Sequence, residues 1–302
     1  MDLGITVPTS GPHASPAGIV KMAQAAEDMG YTAVWTYERL LYALGDIVQQ
    51  GGPPRPLPAN YKTIFEPIET LSYIAAKTKT IKLGTSVLVA PFHVPVMLAR
   101  RLATLDQFSE GRVIAGLGQG WMAEEFATAN IPMSRKGSSM EEFIGALRAA
   151  WGPDPVEFKG RVYNIPKSEI NPKPVQPGGI PILLGSHAPV AIERAARVAD
   201  GLNPIGFSFE ALQNIVGRFR SAAQEAGRDP SKLKVMVRAN VPITSGMMEE
   251  KCPFLGGSPE QIGDDLARLG ELAIDHVFFT NNLQPPLDEQ IELLKRIQKA
   301  VR

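Results

Sequence analysis

Short aliphatic runs alternate with longer amphipathic segments along the whole chain, and this alternation limits the folds open to it. Each unit has a β-branched or aliphatic run, a turn rich in Gly, Pro or Ser, and a segment with apolar residues at helical spacing. Such units are typical of parallel βαβ structure. Eight runs have strand composition: residues 3–7, 33–36, 82–89, 113–117, 181–184, 201–205, 234–241 and 276–280. Eight strands close an α/β barrel, so we predict a (β/α)8 TIM barrel.

Start and stop signals flank the helical segments. Ser15 and Pro16 supply an N-cap and a first-turn proline, and Gly30 ends the same segment. Two further pairs have the capping-box spacing, Ser139 with Glu142 and Ser258 with Gln261.

The length of 302 residues fits a single barrel domain over residues 1–302, since such barrels run to roughly 250 residues or more. Two long irregular stretches interrupt the repeat, one after strand two (residues 40–64) and one between strands four and five (residues 151–179). The first follows the carboxyl end of a strand. We therefore expect it to form a lid or binding loop on the catalytic face.

Charge and cysteine content exclude several classes of function. Lysine plus arginine equals aspartate plus glutamate at 31 each, which gives no overall field for nucleic acid or an anionic membrane. Cys252 is the only cysteine, so no internal disulfide forms and a cytoplasmic location is expected. The four histidines never have metal-site spacing, and no metal is predicted.

A glycine-rich loop follows strand four. Gly116, Gly118 and Gly120 let backbone amides approach an anion, and Gln119 and Trp121 stand beside them. The spacing differs from the G-x-G-x-x-G of a Rossmann dinucleotide site. The loop is therefore a candidate anion site, with relief of crowding at the barrel rim as the alternative.

Strand five ends in a second small loop, Gly185, Ser186 and His187, just before Ala188 and Pro189. Free amides and the positive end of a helix dipole meet at such a position, which makes it a candidate phosphate site. The alternative is an ordinary strand-to-helix turn.

Strand two delivers Glu38 and Arg39 to the barrel rim. Charged residues at the carboxyl ends of barrel strands favour a functional interpretation. We predict Glu38 as a hydrogen-bond acceptor or general acid/base and Arg39 as an anion ligand, both catalytic candidates. The alternative is a mutual salt bridge that shapes the following loop.

Taken together, several segments resemble the luciferase-like monooxygenase family. They are residues 84–91, 95–112, 116–121, 171–176 and 195–201. Within that family the strongest likeness is to oxidoreductases that use coenzyme F-420, a deazaflavin with a phosphate and an oligoglutamate tail. The resemblance implies hydride transfer to or from a small organic substrate, and it implies a homodimer.

The resemblance also implies roles for individual residues. A non-prolyl cis peptide falls on Ser86 and Val87, where the backbone would press against the central ring of the cofactor. Gln119, Gly120 and Trp121 would line the ring and phosphate pocket, and Ser186 and His187 would form the second phosphate loop.

The chain departs from its F-420-dependent relatives at one position. Many of them have an Asp-His pair at the end of strand two, where this chain has Glu38 and Arg39, and His93 replaces a frequent arginine. The missing pair favours the alternative of a non-catalytic flavin-binding protein. An FMN-dependent monooxygenase is a separate alternative that the sequence does not distinguish from an F-420-dependent enzyme, and a phosphate-binding aldolase or isomerase barrel is a weaker one. Substrate specificity is expected in residues 40–64 and around Arg238 and Asn240.

Overall fold

A computed structural model of the chain, which describes residues 1–48 and 52–301, has a closed barrel of eight parallel strands. The barrel strands are β1 Asp2–Thr6, β2 Ala33–Thr36, β3 Lys82–Thr85, β4 Val113–Gly118, β5 Ile182–Leu184, β6 Gly201–Leu202, β7 Lys234–Val241 and β8 His276–Asn281. Each strand pairs with its neighbours in sequence, β8 pairs with β1, and β4 pairs with β5, which completes the ring. The predicted TIM barrel is confirmed, and all eight predicted strands are present.

Helices connect the strands around the outside of the barrel. They are α1 Pro16–Met29, α2 Pro67–Ala75, α3 Pro95–Phe108, α4 Ala123–Thr128, α5 Met140–Trp151, α6 Pro189–Val198, α7 Phe209–Glu225, α8 Pro259–Leu269 and α9 Leu287–Ala300. The predicted cap of α1 is confirmed: Ser15 accepts a hydrogen bond from the amide of Gly18, and Gly30 ends the helix with a φ of 83°. Most of the core lies between these helices and the strands.

The two predicted capping boxes have different outcomes. Ser258 and Gln261 form the reciprocal box at the start of α8. The box at Ser139 is wrong, because that side chain makes no capping bond. Glu142 instead accepts hydrogen bonds of 2.6 Å from the amides of Val162 and Tyr163, and so ties α5 to the insertion that follows it.

A small cluster fills the lower half of the barrel interior. We call it the lumen base, and it consists of Trp35, Ile114, Leu183, His276 and Phe278. The Trp35 and Phe278 rings stack with centroids 4.3 Å apart, and Trp35 Nε1 donates to His276 Nε2 at 3.1 Å. Burial lowers the pKa of His276 to about 3, so the imidazole is a neutral acceptor inside the base.

Both predicted insertions have local structure. Within residues 40–64, a short antiparallel pair joins Asp46–Ile47 to Arg55–Pro56, while residues 49–51 of this predicted lid lie outside the described residues. Its side chains Ile47 and Leu57 pack on Met122, next to α4. Within residues 151–179, Val156–Lys159 and Asn164–Ser168 form a hairpin.

Across residues 1–48 and 52–301, none of the helices has the length and apolar character to cross a membrane. Over the same residues, no group of His, Cys, Asp and Glu side chains is arranged to hold a metal ion.

Candidate active site

The predicted third strand, residues 82–89, is interrupted at the top of the barrel. β3 ends at Thr85, the peptide between Ser86 and Val87 is cis, and Leu88–Val89 then pairs separately with β4. The amide of Ser86 donates to Thr36 O at 2.7 Å, and Val87 O accepts from the amide of Glu38 at 3.1 Å. These bonds fix the interrupted segment against the end of β2. The prediction of one continuous strand over residues 82–89 is therefore wrong. The cis peptide lies where the family resemblance implied it.

The Val87 side chain lies between the two predicted ligand loops. A Cβ built on Gly118 would collide with Val87 Cγ2, and one on Gly185 would lie 2.9 Å from Val87 Cγ1. Only glycine therefore fits at Gly118 and Gly185 while Val87 stays in place. The structure thus brings the loops after β4 and β5 together at the residue that follows the cis peptide.

Gln119 and Gly120 continue the first loop. Gly120 has a φ of 72° and lies against Val89 and Phe126, so a side chain there would be both strained and crowded. A Cβ on Gly137 would overlap Gln119 Oε1 and lie 3.3 Å from an Arg194 guanidinium nitrogen. Gln119 therefore lies beside α6, the helix that begins after the second loop.

The second loop carries two polar atoms that the protein leaves unpaired. Ser186 is 6% exposed and its Oγ has no hydrogen-bond partner, and the same holds for His187 Nδ1. The His187 ring contacts Phe207 with centroids 5.4 Å apart, and burial lowers its pKa. Native proteins rarely leave buried polar atoms unsatisfied, so this pair fits a polar ligand group such as a phosphate.

A polar group lines the upper barrel interior. We call it the lumen mouth, and it consists of Tyr37, Ser86, Asn203, Arg238 and Asn240. Arg238 donates to Ser86 O and, at 2.8 Å, to Asn240 Oδ1, and its guanidinium lies 5.1 Å from the Tyr37 ring centroid. Burial lowers the pKa of Arg238, but an arginine starts so high that it stays charged. The lumen mouth therefore holds a cation directly beside Val87.

Hydrogen bonds fix the other members of the lumen mouth. Ser86 Oγ and Asn203 Oδ1 are 2.6 Å apart, and Asn203 Nδ2 donates to Met236 O. The Tyr37 hydroxyl lies 2.5 Å from Ser10 Oγ, and burial raises the pKa of Tyr37. Sequence reasoning missed Asn203 and Ser10. Their position just past the ends of β6 and β1 is the signal that would have found them.

Glu38 and Arg39 do not bind each other, so the alternative interpretation as a mutual salt bridge is wrong. Glu38 is 7% exposed, and its carboxylate accepts from the Val89 amide at 2.6 Å and lies 2.9 Å from His93 Nε2. These contacts fix the segment after the cis peptide. The catalytic role of Glu38 stays a prediction.

Arg39 connects the first insertion to the glycine loop. Its guanidinium lies 4.5 Å from the Trp121 ring centroid and 5.2 Å from that of Tyr61, and it binds Glu125 at 3.0 Å. Glu125 is buried, which raises the pKa of its carboxyl although Arg39 opposes that rise. Trp121 is thus placed by Arg39 at the edge of the site, and anion binding by Arg39 stays a prediction.

Comparisons with known proteins point to one family. A family model described as luciferase-like monooxygenase matches residues 1–250. A coenzyme F-420-dependent glucose-6-phosphate dehydrogenase of Amycolatopsis mediterranei is 30% identical over 190 residues, 62% of this chain and 52% of that protein. The oxygenase component of a flavin-dependent trigonelline monooxygenase of Acinetobacter baylyi is 28% identical over 213 residues, 68% of this chain and 54% of that protein. The crystal structure of a monooxygenase from Streptomyces bottropensis has the same fold, with a TM-score of 0.82, 21% identity, and coverage of 100% of this chain and 98% of that one.

Proposed function

The chain belongs to the luciferase-like monooxygenase family, and on that premise we propose that it is a coenzyme F-420-dependent oxidoreductase acting on a small organic substrate. The observation that carries the proposal is the pair of buried, unpartnered atoms, Ser186 Oγ and His187 Nδ1, on the loop beside Val87. When bound, the deazaflavin supplies hydride transfer, and the protein supplies orientation, charge and exclusion of water.

The two loops would hold the phosphate of the cofactor. Ser186 Oγ would donate to it, and His187, whose pKa burial lowers, would donate from Nδ1 in the neutral tautomer that carries its proton there. The start of α6 adds the positive end of its dipole. A phosphate bound at this loop would therefore give both orphaned atoms a hydrogen-bond partner.

Val87 would border the ring of the cofactor. The glycines at 118 and 185 leave room for Val87 and keep both loops close to it. Ile47 and Leu57 of the insertion pack with Met122 and Trp121, and this cluster would shield the ring from water.

Arg238 binds the oxygen of the substrate at the lumen mouth. Its Nε and one Nη already donate to Asn240 and Ser86, and within the described residues no protein acceptor faces the other Nη. That free donor stabilises negative charge on a carbonyl or alcohol oxygen during hydride transfer. Tyr37 stays a neutral phenol because burial raises its pKa, and its hydroxyl lies 2.5 Å from Ser10 Oγ.

An FMN-dependent monooxygenase is the second candidate. The similarity to the flavin-dependent trigonelline monooxygenase favours it, as does the replacement of the Asp-His pair by Glu38 and Arg39, whose side chains both bind other protein groups. FMN also carries a single phosphate, which the same loop accommodates.

Titration of the purified protein with coenzyme F-420 and, separately, with FMN tests the proposal through quenching of ligand fluorescence. We expect micromolar binding of F-420 and reduction or oxidation of the bound deazaflavin with a small alcohol or carbonyl compound. Preference for FMN with oxygen-dependent turnover supports the monooxygenase, and binding of neither contradicts both.

The variant Ser186→Ala tests the phosphate site in the same assay. Removal of an unpaired buried hydroxyl should leave the free energy of unfolding unchanged or raise it by up to about 1 kcal/mol. Cofactor affinity should fall roughly tenfold, because a charge-assisted hydrogen bond to the phosphate is lost. Thr36→Val, which removes another unpaired buried hydroxyl on the outward face of β2, is the matched control and should leave affinity unchanged.

A further inference from the structure

Arg238 is a charged side chain inside the barrel that has no counter-ion among the residues that the structure describes. No carboxylate there lies within ion-pair distance of its guanidinium. The two carboxylates at the rim, Glu38 and Glu125, bind His93 and Arg39 instead. Burial lowers the pKa of Arg238, but the guanidinium stays charged. A charge withdrawn from water is costly unless an opposite charge or a full set of hydrogen bonds compensates it.

Arg112 shows how the same protein compensates a partly buried arginine that forms no ion pair with a described residue. All five of its N–H donors have protein oxygens as acceptors. The acceptors, at 2.8–3.3 Å, are Ser109 O, Thr78 Oγ1, Ile81 O, Ala75 O and Thr78 O. Arg238 uses two of its five donors, one for Asn240 Oδ1 and one for Ser86 O. The other three have no acceptor within the described part of the chain, so the compensation of Arg238 is incomplete.

The other side chains of the lumen mouth are neutral. Tyr37 is a phenol, because burial raises its pKa, and its hydroxyl lies beside that of Ser10. Asn203 and Asn240 carry amides. None of these groups offsets the charge of Arg238. A neutral substrate oxygen would accept a hydrogen bond there but would leave the charge uncompensated, whereas an anion would provide both.

We propose that the substrate is a 2-hydroxy acid, or the matching 2-oxo acid in the reverse direction, whose carboxylate pairs with Arg238. The carboxylate and the reacting oxygen lie on neighbouring carbons, so the three remaining donors of Arg238 bind both groups at once. Arg238 also donates to Ser86 O, next to Val87. It therefore holds the reacting carbon beside the space proposed for the ring of the cofactor.

The carboxylate is unchanged by the reaction. In the oxidation, the C–H bond beside the hydroxyl breaks and its hydride passes to oxidised F-420. The hydroxyl proton passes to solvent, and a C=O bond forms. Reduction of the 2-oxo acid reverses each transfer. The inference rests on the proposed function and deepens it, because it names the class of substrate.

Binding of acids and of their amides tests the charge. The probes are glycolate, lactate and mandelate, each compared with its primary amide, which has nearly the same shape and no charge. Three sizes are used because Arg238 does not determine the group beyond the hydroxyl-bearing carbon. In calorimetric titrations of the purified protein at pH 7, with and without F-420, at least one acid should bind roughly tenfold more tightly than its amide. Equal affinities in every pair, or no binding of any acid, would overturn the inference.

Asn240→Asp supplies the missing counter-ion within the protein. Its carboxylate replaces an amide oxygen that lies 2.8 Å from Arg238 Nε, so the guanidinium is kept in place and its charge is offset. Affinity for the favoured acid should fall roughly tenfold, affinity for the amide should change less than about twofold, and the melting temperature should not fall. If Arg238 has only a structural role, the ratio of acid affinity to amide affinity will not change.

Arg238→Gln removes the charge itself, and affinity for the favoured acid should then fall to that of its amide. General damage to the site would weaken both ligands equally and leave their ratio unchanged. The matched control is Arg39→Gln/Glu125→Gln, which removes a cation of the rim together with its partner and leaves neither charge unpaired. It should keep the preference for the acid. Loss of the preference in this double variant, with retention in Arg238→Gln, would assign the anion to Arg39 and contradict the proposal.

Turnover distinguishes failure of this inference from failure of the proposed function. With F-420 as the oxidant, the favoured acid should be oxidised faster than 2-propanol and 1-phenylethanol, which have no carboxylate. If either alcohol is oxidised and none of the three acids is, the substrate class is wrong while the F-420-dependent function stands. If F-420 does not bind, the proposed function fails, and a preference for the acid that depends on Arg238 would still support the carboxylate site.

Discussion

The lumen base and the lumen mouth lie one above the other in the barrel interior. Each contains a buried basic group, which is neutral in the base and charged in the mouth. At the base, burial lowers the pKa of His276 to about 3, and its Nε2 accepts from the Trp35 indole. At the mouth, Arg238 keeps its charge although burial lowers its pKa, and only some of its donors have protein acceptors.

This difference in charge and in hydrogen bonding separates a polar group with a structural role from one that can bind a ligand. The base neutralises its histidine and satisfies it within the protein, so nothing there calls for a ligand. The mouth retains a cation and, on the adjoining loop, two unpaired buried atoms. A retained charge beside unpaired polar atoms, rather than burial or a shifted pKa alone, distinguishes the candidate site from the base.

Replacement of Arg238 should have the largest effect on function. In Arg238→Met, kcat/KM should fall roughly 10²–10³-fold, because a preorganised donor to the substrate oxygen is lost. The free energy of unfolding should also fall, by about 1–3 kcal/mol, because Ser86 O and Asn240 Oδ1 lose their donor. Lys234→Met, at the opposite end of β7 and exposed, is the matched control and should retain activity. Equal losses in both variants would show that the loss does not come from the Arg238 donor.

The contribution of the lumen base should appear in the free energy of unfolding and in its dependence on pH. The unfolded chain takes up a proton at His276 below a pH of about 6.5, whereas the folded protein does so only near a pH of 3. Stability from this residue is therefore complete above a pH of about 6.5 and is lost as the pH falls toward 3. Between pH 7 and pH 5 the loss should be about 2 kcal/mol.

Urea denaturation of the wild-type protein and of His276→Gln at pH 7 and at pH 5 tests the predicted loss of stability. Glutamine can still accept from Trp35, and the variant should show a pH-dependent loss smaller by about 2 kcal/mol. Identical pH dependence in the two proteins would contradict the assignment of a neutral buried imidazole. Cofactor affinity at pH 7 should be unaffected, because the lumen base does not reach the loops.

Crowding of Val87, which lies beside the lumen mouth, should have an intermediate effect on cofactor affinity. In Gly118→Ala the new methyl group collides with Val87, so Val87 must move and cofactor affinity should fall about tenfold, within the roughly 1–3 kcal/mol cost of overpacking. Val87→Ala in the same chain should restore part of the affinity. Gly217→Ala on α7 has open space around it and should instead stabilise the protein by up to about 1 kcal/mol. Failure of the second substitution to rescue the first would show that the collision is not the cause.

The fold could be predicted because eight strands with alternating helices leave few alternatives. The break in the third strand could not be predicted from the residue pattern, although the family resemblance implied its cis peptide, since it depends on bonds from Ser86 to Thr36 and from Glu38 to Val87 that join separate strands. The capping box at Ser139 failed for a related reason. Glu142 instead accepts hydrogen bonds from two amides of a hairpin about twenty residues away.

The parts of the candidate site that directly follow a strand could be predicted from the sequence. The parts that depend on contacts between distant residues could not. The glycine loop and the loop at Ser186 could be located from local sequence. The partners of Glu38 and Arg39 could not, because His93 and Glu125 lie 55 and 86 residues away. Adjacent opposite charges in a sequence favour a mutual pair, but here each side chain binds a partner from a distant part of the chain.

The smallest expected effect concerns the rim above the mouth, where Arg39 lies between the Trp121 and Tyr61 rings. Arg39→Lys retains the charge and the attraction to Glu125 but loses the flat guanidinium that contacts both rings. The insertion and Trp121 should then be less well fixed, so KM should rise about two- to fivefold with kcat nearly unchanged. Lys62→Gln, which removes a cation 5.7 Å from the Tyr42 ring in the same insertion, should change KM less than Arg39→Lys does. A large fall in kcat for Arg39→Lys would instead place Arg39 with Arg238 among the groups that act on the substrate, and the functional part of the mouth would then extend to the rim.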